Sequence, residues 1–427
     1  MDAKTIATNI VKDPTQIAKL ITQHKAELLS VIAIVMIVVI IIALFTWFGS
    51  LMTRESRICN TMNTLYASPD RVSKGKSLQT NLAMPRENSR RVICLRDFYI
   101  KTAYNCCSAG DFKNSFVSTC ALKNCIKQGA RCLDFEIYSI DNKPVIATST
   151  LNSCKIKETY NSVPFSEAMS VVESMAFDTT VTPYANDPLL LNLRLKNCPN
   201  NVDLFRDMAQ TFNSMFSKRL LEMSVYGREY KVLKKTDSGE EVYYHYNLGE
   251  VPIILLMGKI IIMVDQVPSA AKDCDQPLHV NEPKTPPCRF FDFINIAGDD
   301  GFLEVKRYSE LKSAPSAQDI VNDCKNKLCI CLPDLSNYPN NINFSLCKSY
   351  GIQMIAMCFQ NFDANMENCD LFFNGINSDV SSPGAFILKP ENMLAPILED
   401  IRVAPQDPNL NPAANTTITA TGQKLTF

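Results

Sequence analysis

The chain has 427 residues, of which 46% are hydrophobic and 20% charged, and its formal net charge is −1 at pH 7. These proportions are those of a globular protein, and the length allows one large domain or two ordinary ones. The near-neutral charge argues against a protein that holds nucleic acid by bulk electrostatic attraction, so we expect no nucleic-acid partner.

An uncharged hydrophobic segment, LLSVIAIVMIVVIIIALFTWFGSLM, occupies residues 28–52. About 20 apolar residues cross the core of a bilayer. A signal peptide would have a shorter apolar core and a small-residue cleavage site, and a buried helix would tolerate polar breaks. We therefore predict an N-terminal segment, residues 1–27, followed by a single-pass transmembrane helix with the lipid bilayer as its partner. Trp47 and Phe48 would lie at the far interface, and the positive charges slightly favour a cytosolic N-terminus.

All 17 cysteines follow the hydrophobic segment. The vicinal pair Cys106 and Cys107 and the cluster Cys324, Cys329 and Cys331 are dense for a cytosolic domain. Disulfides form in oxidising compartments, so we expect several of them, with reduced buried thiols as the alternative. A zinc site is the weaker interpretation, because no CxxC pair repeats and the chain has only three histidines.

The rest of the chain divides by composition. Residues 53–91 are polar and predict a stalk with short helices, and the Pro-rich residues 267–288 predict an exposed linker. Residues 399–427 form a polar tail with one possible strand. Between these segments, apolar runs alternate with amphipathic stretches, which is typical of parallel βα units and of a (β/α)₈ barrel. The predicted strands are 92–95 with 98–102, 131–138, 144–148, 189–195, 259–264, 328–332, 353–359 and 385–388, and the predicted helices include 119–128, 164–175 and 201–225.

Two late segments, GIQMIAMCFQ at residues 351–360 and GAFILKPE at residues 384–391, resemble successive strands of eukaryotic phosphoinositide-specific phospholipases C. Earlier segments resemble that family too, among them FYIKTAYN at residues 98–105 and QGARCLDFEIY at residues 128–138. The resemblance implies an α/β fold, a phospholipase C-like (PLC-like) TIM barrel over residues 92–398. Its halves would be about 92–266 and 289–398. The end of the tail resembles one strand of the C2 domain that follows the barrel in the family.

The resemblance also implies a chemistry: two histidines act on a phosphodiester, calcium activates the attacking hydroxyl, and cationic side chains hold the headgroup. In this sequence other residue types fill those positions. The degenerate positions are Tyr104 and Thr148 or Thr150 for the histidines, Arg194 for a calcium carboxylate, Met263 and Asp265 for lysines, and Ile330 for an arginine. Asn105, Asp134 and Glu136 are retained oxygen donors and the residual candidates for a metal.

These replacements argue against the family's reaction. A tyrosine with a pKa near 10 and a threonine cannot replace a histidine pair at neutral pH without special activation. Arg194 would repel a dication, at about 4 kcal/mol per unit charge at 4 Å and an effective dielectric of 20. We therefore expect Arg194 to pair with Asp134 or Glu136, the calcium cofactor to be lost, and no metal or catalytic residue to remain.

Two functions stay open. The first is a pseudoenzyme, a membrane-anchored structural or interaction protein with protein partners. It would be similar to proteins that large DNA viruses place in an internal virion membrane. The alternative is a phosphoric diester hydrolase acting on phosphoinositide-type lipids through a remodelled site. A plugged barrel mouth favours the first, and an open acidic cleft favours the second.

Overall fold

The computed structural model describes most of the chain. The described residues are 19, 22, 25–67, 75–82, 91–151, 156–196, 201–227, 231–235, 241–245, 247–272, 289–375, 383–396, 416–418 and 424–426. Most of the predicted linker, with His279, and most of the N-terminal segment, with His24, lie outside them.

Fifteen strands are present in the described part of the chain. They are β1 Phe98–Ala103, β2 Cys132–Ile140, β3 Lys143–Ile146, β4 Val163–Pro164, β5 Leu189–Leu195, β6 Lys231–Lys235, β7 Glu241–His245, β8 Ile260–Val264, β9 Ile296–Ala297, β10 Leu303–Arg307, β11 Leu328–Leu332, β12 Met354–Met357, β13 Phe386–Leu388, β14 Thr416–Ile418 and β15 Lys424–Thr426. The helices are α1 Lys25–Leu65, α2 Leu78–Leu82, α3 Thr119–Lys127, α4 Phe165–Ala176, α5 Val202–Phe216, α6 Met223–Tyr226, α7 Tyr308–Lys312, α8 Ala317–Asn326, α9 Phe344–Ser349 and α10 Ala364–Phe373.

Eight parallel strands form a nearly closed barrel. Their spatial order is β10-β11-β12-β1-β2-β5-β8-β9. Because the strands are parallel, all their carboxyl ends lie at one end of the barrel, which we call the mouth. The predicted fold class, an α/β (β/α)₈ barrel, is confirmed.

Two predicted strands have a different role from the one expected. β3 pairs antiparallel with β2, and β13 pairs antiparallel with β1. Neither is therefore one of the eight parallel barrel strands, which we call the staves. The staves that the sequence did not predict are β9, which is only two residues long, and β10, which reads LEVKR. Three charged residues in five hide the apolar pattern of a buried strand, although β10 pairs with β11 along its whole length.

Other boundaries also differ from the prediction. Residues 92–95 form no strand, because a 3₁₀ turn begins at Leu95. The helix predicted at 201–225 is broken into α5 and the short α6. The strand predicted in the tail is a hairpin, with β14 and β15 paired antiparallel.

The hydrophobic core has two parts. One fills the barrel interior with inward-facing residues of the staves, such as Leu190, Ile261 and Met354. The other lies between the staves and the outer helices, where Phe205 and Phe212 of α5 stack on Phe290. Apolar side chains therefore cover both sides of most barrel strands, as a parallel sheet requires, whereas in β10 only Leu303 is fully buried.

The apolar segment lies within a longer helix than the sequence predicted. α1 has 41 residues and continues past residue 52 to Leu65. The start of the predicted stalk is therefore a helical extension, whose last turn packs on the barrel through Met62, and Tyr66 just after the helix packs there too. In the described part of the chain, α1 is the one helix long and apolar enough to cross a membrane.

One disulfide, between Cys59 of α1 and Cys120 of α3, joins the extension to the barrel. The other eleven described cysteines are free thiols, and all of them except Cys94 are buried. Among the described residues, one of the several predicted disulfides is present, and most of the other cysteines follow the alternative, reduced buried thiols. Burial raises the pKa of the Cys106 and Cys107 thiols, which disfavours the nucleophilic thiolate form of both residues.

We expect the paired change Cys59→Ser and Cys120→Ser to lower the thermal midpoint of the full-length protein in detergent by several degrees. Removing a native cross-link with a sequence separation of 61 residues relaxes the unfolded chain and typically costs about 2–4 kcal/mol. Cys94→Ser, at a half-buried free thiol, is the matched control and should leave the midpoint nearly unchanged. Equal midpoints for the two variants would contradict the prediction.

Candidate functional site at the barrel mouth

A buried charge cluster lies at the mouth, where β1, β2 and β5 end. Residues two apart on a strand share a face, so Asp134 and Glu136 of β2 project together. The register places Glu136 beside Arg194 of β5. These three side chains are buried, with at most 2% of each residue exposed. We call them the Arg194 cluster.

Arg194 is bound on every polar atom of its guanidinium group. Nε donates to Asp134 Oδ1 and Nη2 to Asp134 Oδ2, both at 2.8 Å, which is a bidentate pair. Nη1 donates to Glu136 Oε1, and Nη2 also donates to Asn105 Oδ1 at 2.9 Å. The expected pairing of Arg194 is therefore present with both carboxylates.

The charge state of Arg194 follows from these contacts. Burial disfavours the charged guanidinium, but the negative charge of Asp134 and the hydrogen bond to it raise the pKa of Arg194 above its ordinary value. Arg194 therefore stays cationic inside the mouth. Bidentate pairs of this kind are among the stronger hydrogen bonds in proteins.

The two carboxylates have further donors. Asp134 also accepts from the backbone N–H of Asn105 at 2.9 Å and from Asn192 Nδ2 at 2.8 Å. Glu136 accepts through Oε2 from the Tyr138 hydroxyl at 2.9 Å and from the Ser149 N–H at 3.1 Å. All four carboxylate oxygens are thus occupied by protein donors.

This donor set does not fit a divalent cation. Calcium takes six to eight oxygen ligands, whereas here each carboxylate oxygen accepts hydrogen bonds and a guanidinium lies between the two groups. In the described part of the chain, no group of three or more His, Cys, Asp or Glu side chains could hold a metal ion.

Tyr104 lies directly on the Arg194 cluster. Its ring faces the Arg194 guanidinium, 4.8 Å from centroid to Cζ, and its hydroxyl accepts from Arg307 Nη1 at 3.2 Å. Burial raises the pKa of Tyr104, so the phenol stays protonated at neutral pH. Tyr104 therefore acts as a packing group over the cation rather than as a proton acceptor.

Three segments close over the mouth: residues 104–118, 147–162 and 333–343, in which 152–155 are not described. We call them the mouth-covering loops. Phe112 joins them, because its N–H donates to Asn337 O at 3.0 Å and its carbonyl accepts from Thr148 Oγ1 at 2.9 Å. The Phe112 ring packs edge-on against Tyr104. The loops thereby cover Arg194 from outside.

The predicted site residues divide into two groups. Tyr104, Asn105, Asp134, Glu136 and Arg194 converge, and Thr148 holds the loop above them. The other predicted residues lie outside the Arg194 cluster. Thr150 donates its N–H to Glu158 Oε2, and Asp265 accepts from the N–H of Leu195. Met263 and Ile330 belong to the apolar barrel interior.

Sequence reasoning missed three members of the site. Asn192 lies two residues before Arg194, and Tyr138 two residues after Glu136, so the strand period could have found both. Phe112 could not be found in this way, since its contacts to the other two loops join segments far apart in the chain.

Comparison with known proteins agrees with this architecture. Residues 92–237 match the family model of the phosphatidylinositol-specific phospholipase C, X domain. The barrel is a PLC-like TIM barrel. The match covers β1 to β6 and includes the Arg194 cluster, so the cluster occupies the mouth of a PLC-like fold. No curated protein matches the chain.

Two solved structures share the fold of this PLC-like barrel. PLC21 of L. pealei superposes with a TM-score of 0.52 at 18% sequence identity, over 72% of this chain and 38% of that one. PLC21 of S. officinalis gives a TM-score of 0.51 at 17% identity, with the same coverage. This chain thus spans well under half the length of either solved protein.

We predict that Arg194→Met destabilises the PLC-like barrel by about 3–5 kcal/mol, because it leaves two buried carboxylates without their cation. Chemical unfolding in detergent measures the loss. Lys143→Met removes the exposed partner of Asp207 and serves as the control, with a much smaller expected change. An Arg194→Met protein as stable as the wild type would show that the carboxylates do not depend on Arg194.

Proposed function

We propose that the protein is a membrane-anchored pseudoenzyme, a PLC-like barrel that acts as a structural or interaction protein and has no phosphodiesterase activity. The observation that carries the proposal is the Arg194 cluster. A permanent cation, held by two carboxylates, occupies the place where the resemblance puts a calcium ligand. The barrel then serves as a scaffold in which the buried charges of the mouth compensate one another.

The chemistry of the mouth supports this proposal. Acid–base catalysis of phosphodiester cleavage needs groups that titrate near the working pH. Tyr104 has a raised pKa, and the Thr148 hydroxyl donates its hydrogen bond to the Phe112 carbonyl. His245, the one described histidine, lies at the end of β7 in the separate β6–β7 hairpin. All four carboxylate oxygens of Asp134 and Glu136 are occupied by protein donors, so we propose that calcium is not a cofactor.

Access to the mouth supports it as well. Tyr104, Asn105, Asp134, Glu136, Thr148 and Arg194 are each at most 3% exposed. A lipid headgroup would have to displace the mouth-covering loops and then the guanidinium. A plugged mouth of this kind favours the scaffold over the alternative, a hydrolase of phosphoinositide-type lipids with a remodelled site.

The membrane part of the proposal rests on α1. The most apolar stretch of this helix is not buried against the rest of the chain. A long apolar helix without protein cover is stable when lipid surrounds it. We propose that α1 is a single-pass anchor. Placement in an internal virion membrane rests on the sequence resemblance alone, and mass spectrometry of purified particles tests it.

We expect the purified full-length protein to release no inositol phosphate from phosphatidylinositol or its phosphates in mixed micelles with calcium. Tyr104→His should not restore activity, because Arg194 still excludes a dication and one catalytic group does not act alone. Calcium-dependent release that Asp134→Asn abolishes would overturn the proposal in favour of the hydrolase.

The anchor has its own test. We expect the full-length protein to stay in the membrane pellet after alkaline carbonate extraction, because α1 is held by hydrophobic burial rather than by charge. Replacing Ile37 and Ile40, within the apolar run, by lysine should shift the protein toward the supernatant, since charges at the bilayer centre are costly. Release of the unmodified protein would show that α1 is not an anchor.

A further inference from the structure

The contacts of α1 with the barrel define the direction in which α1 leaves it. Cys59 is bonded to Cys120 in the first turn of α3. One turn later in both helices, Asn63 Oδ1 accepts from Asn124 Nδ2 at 2.7 Å. Two contacts that advance together by four residues show that α1 and α3 run in the same direction over this stretch.

The direction of α3 is known from the barrel. α3 begins beside the mouth, where the N–H of Ser118 donates to the carbonyl of Cys107 just after β1. Its far end leads to Arg131, whose N–H bonds to Lys101 before the start of β2. α3 therefore runs from the mouth toward the opposite end, and the residues of α1 before Cys59 project beyond the mouth.

The connection between the apolar run and the barrel is short and firmly held. Cys59 lies seven positions after residue 52 in one continuous helix, a rise of about 10 Å at 1.5 Å per residue. Beyond the disulfide, the Tyr66 hydroxyl donates to the carbonyl of Phe359 at 2.6 Å. The mouth therefore lies close to wherever the apolar run ends.

The outer surface of the mouth-covering loops carries exposed apolar side chains among polar ones such as Lys113, Asn337 and Asn340. Large hydrophobic side chains are exposed on it at Leu151, Ile156, Tyr160, Leu335 and Tyr338, with Ile156 60% and Tyr338 62% exposed. Aromatic and aliphatic side chains of this kind suit the interfacial zone of a bilayer. The opposite end of the barrel also exposes apolar residues, Ile254 and Leu255, but α1 leads away from that end.

We propose that the disulfide-bonded end of α1 holds the barrel with its covered mouth against the bilayer that α1 crosses, and that the mouth-covering loops are a lipid-contact surface. The proposal rests on α1 being the anchor. Its occupant is the lipid surface, because the helix that joins the barrel to the membrane emerges on that side. Binding of a protein at the mouth is the competing outcome.

The single tryptophan of the chain, Trp47, makes a direct test possible. The full-length protein is reconstituted into phosphatidylcholine vesicles that contain brominated lipid, which quenches tryptophan at membrane depth. In a Trp47→Phe background, Tyr338→Trp and Ile156→Trp report on the mouth-covering loops. Ile254→Trp, at a similarly exposed residue of the opposite end, is the matched control.

We expect a several-fold greater loss of emission for Tyr338→Trp and Ile156→Trp than for Ile254→Trp. Adding Cys59→Ser with Cys120→Ser should reduce that difference. Equal or reversed quenching, while Trp47 of the unmodified protein is strongly quenched, would overturn the orientation and leave the anchor intact. Unquenched Trp47 would instead refute the anchor and, with it, this inference.

Discussion

The pairing of Arg194 with Asp134 and Glu136 is the interaction on which the mouth of the barrel depends. Asp134 and Glu136 are each at most 1% exposed, and burying two carboxylates would be very costly without a compensating charge. Asn192 and Tyr138 on the strands, together with the N–H groups of Asn105 and Ser149, supply the other hydrogen bonds to these carboxylates, so every carboxylate oxygen has a donor. Asn105 adopts φ 44°, and this turn brings its N–H onto Asp134. The backbone after β1 is thereby placed by the same cluster.

The cover of the mouth builds on that cluster. Tyr104 stacks on the guanidinium, Phe112 packs on Tyr104, and Phe112 in turn bonds to the two other loops. Glu158 ties the second loop together: hydrogen bonds from Lys113 and Thr150 outweigh its partial burial and hold its pKa at about 2. Loss of Arg194 would therefore affect more than two ion pairs, because each layer of the cover rests on the one beneath it.

The same rule governs the opposite end of the barrel. Arg131 is fully buried before β2 and donates to the carbonyls of Ala176 and Asp187, each at 2.7 Å. Burial lowers its pKa to about 10, which still leaves it charged at neutral pH. Lys101 of β1, buried as well, pairs with Asp370 at 2.9 Å. Buried cations with oxygen partners thus lie at both ends of an otherwise apolar interior, and Arg131 and Lys101 connect the barrel strands to the outer helices.

The sequence by itself determined the features that depend on local pattern. Three such features can be recognised from the sequence: the apolar run of α1, the barrel strands that consist of apolar runs, and the cation on the strand of Arg194. Tertiary structure decided the rest, because it depends on contacts between distant segments. Those contacts made β10 a stave despite its charges, made β3 and β13 partners outside the barrel, and brought Phe112 over Tyr104. They also paired Cys59 with Cys120, which sets the direction of α1. The sequence could not show these contacts, because a periodic pattern records which face of an element is buried but not which segment covers it.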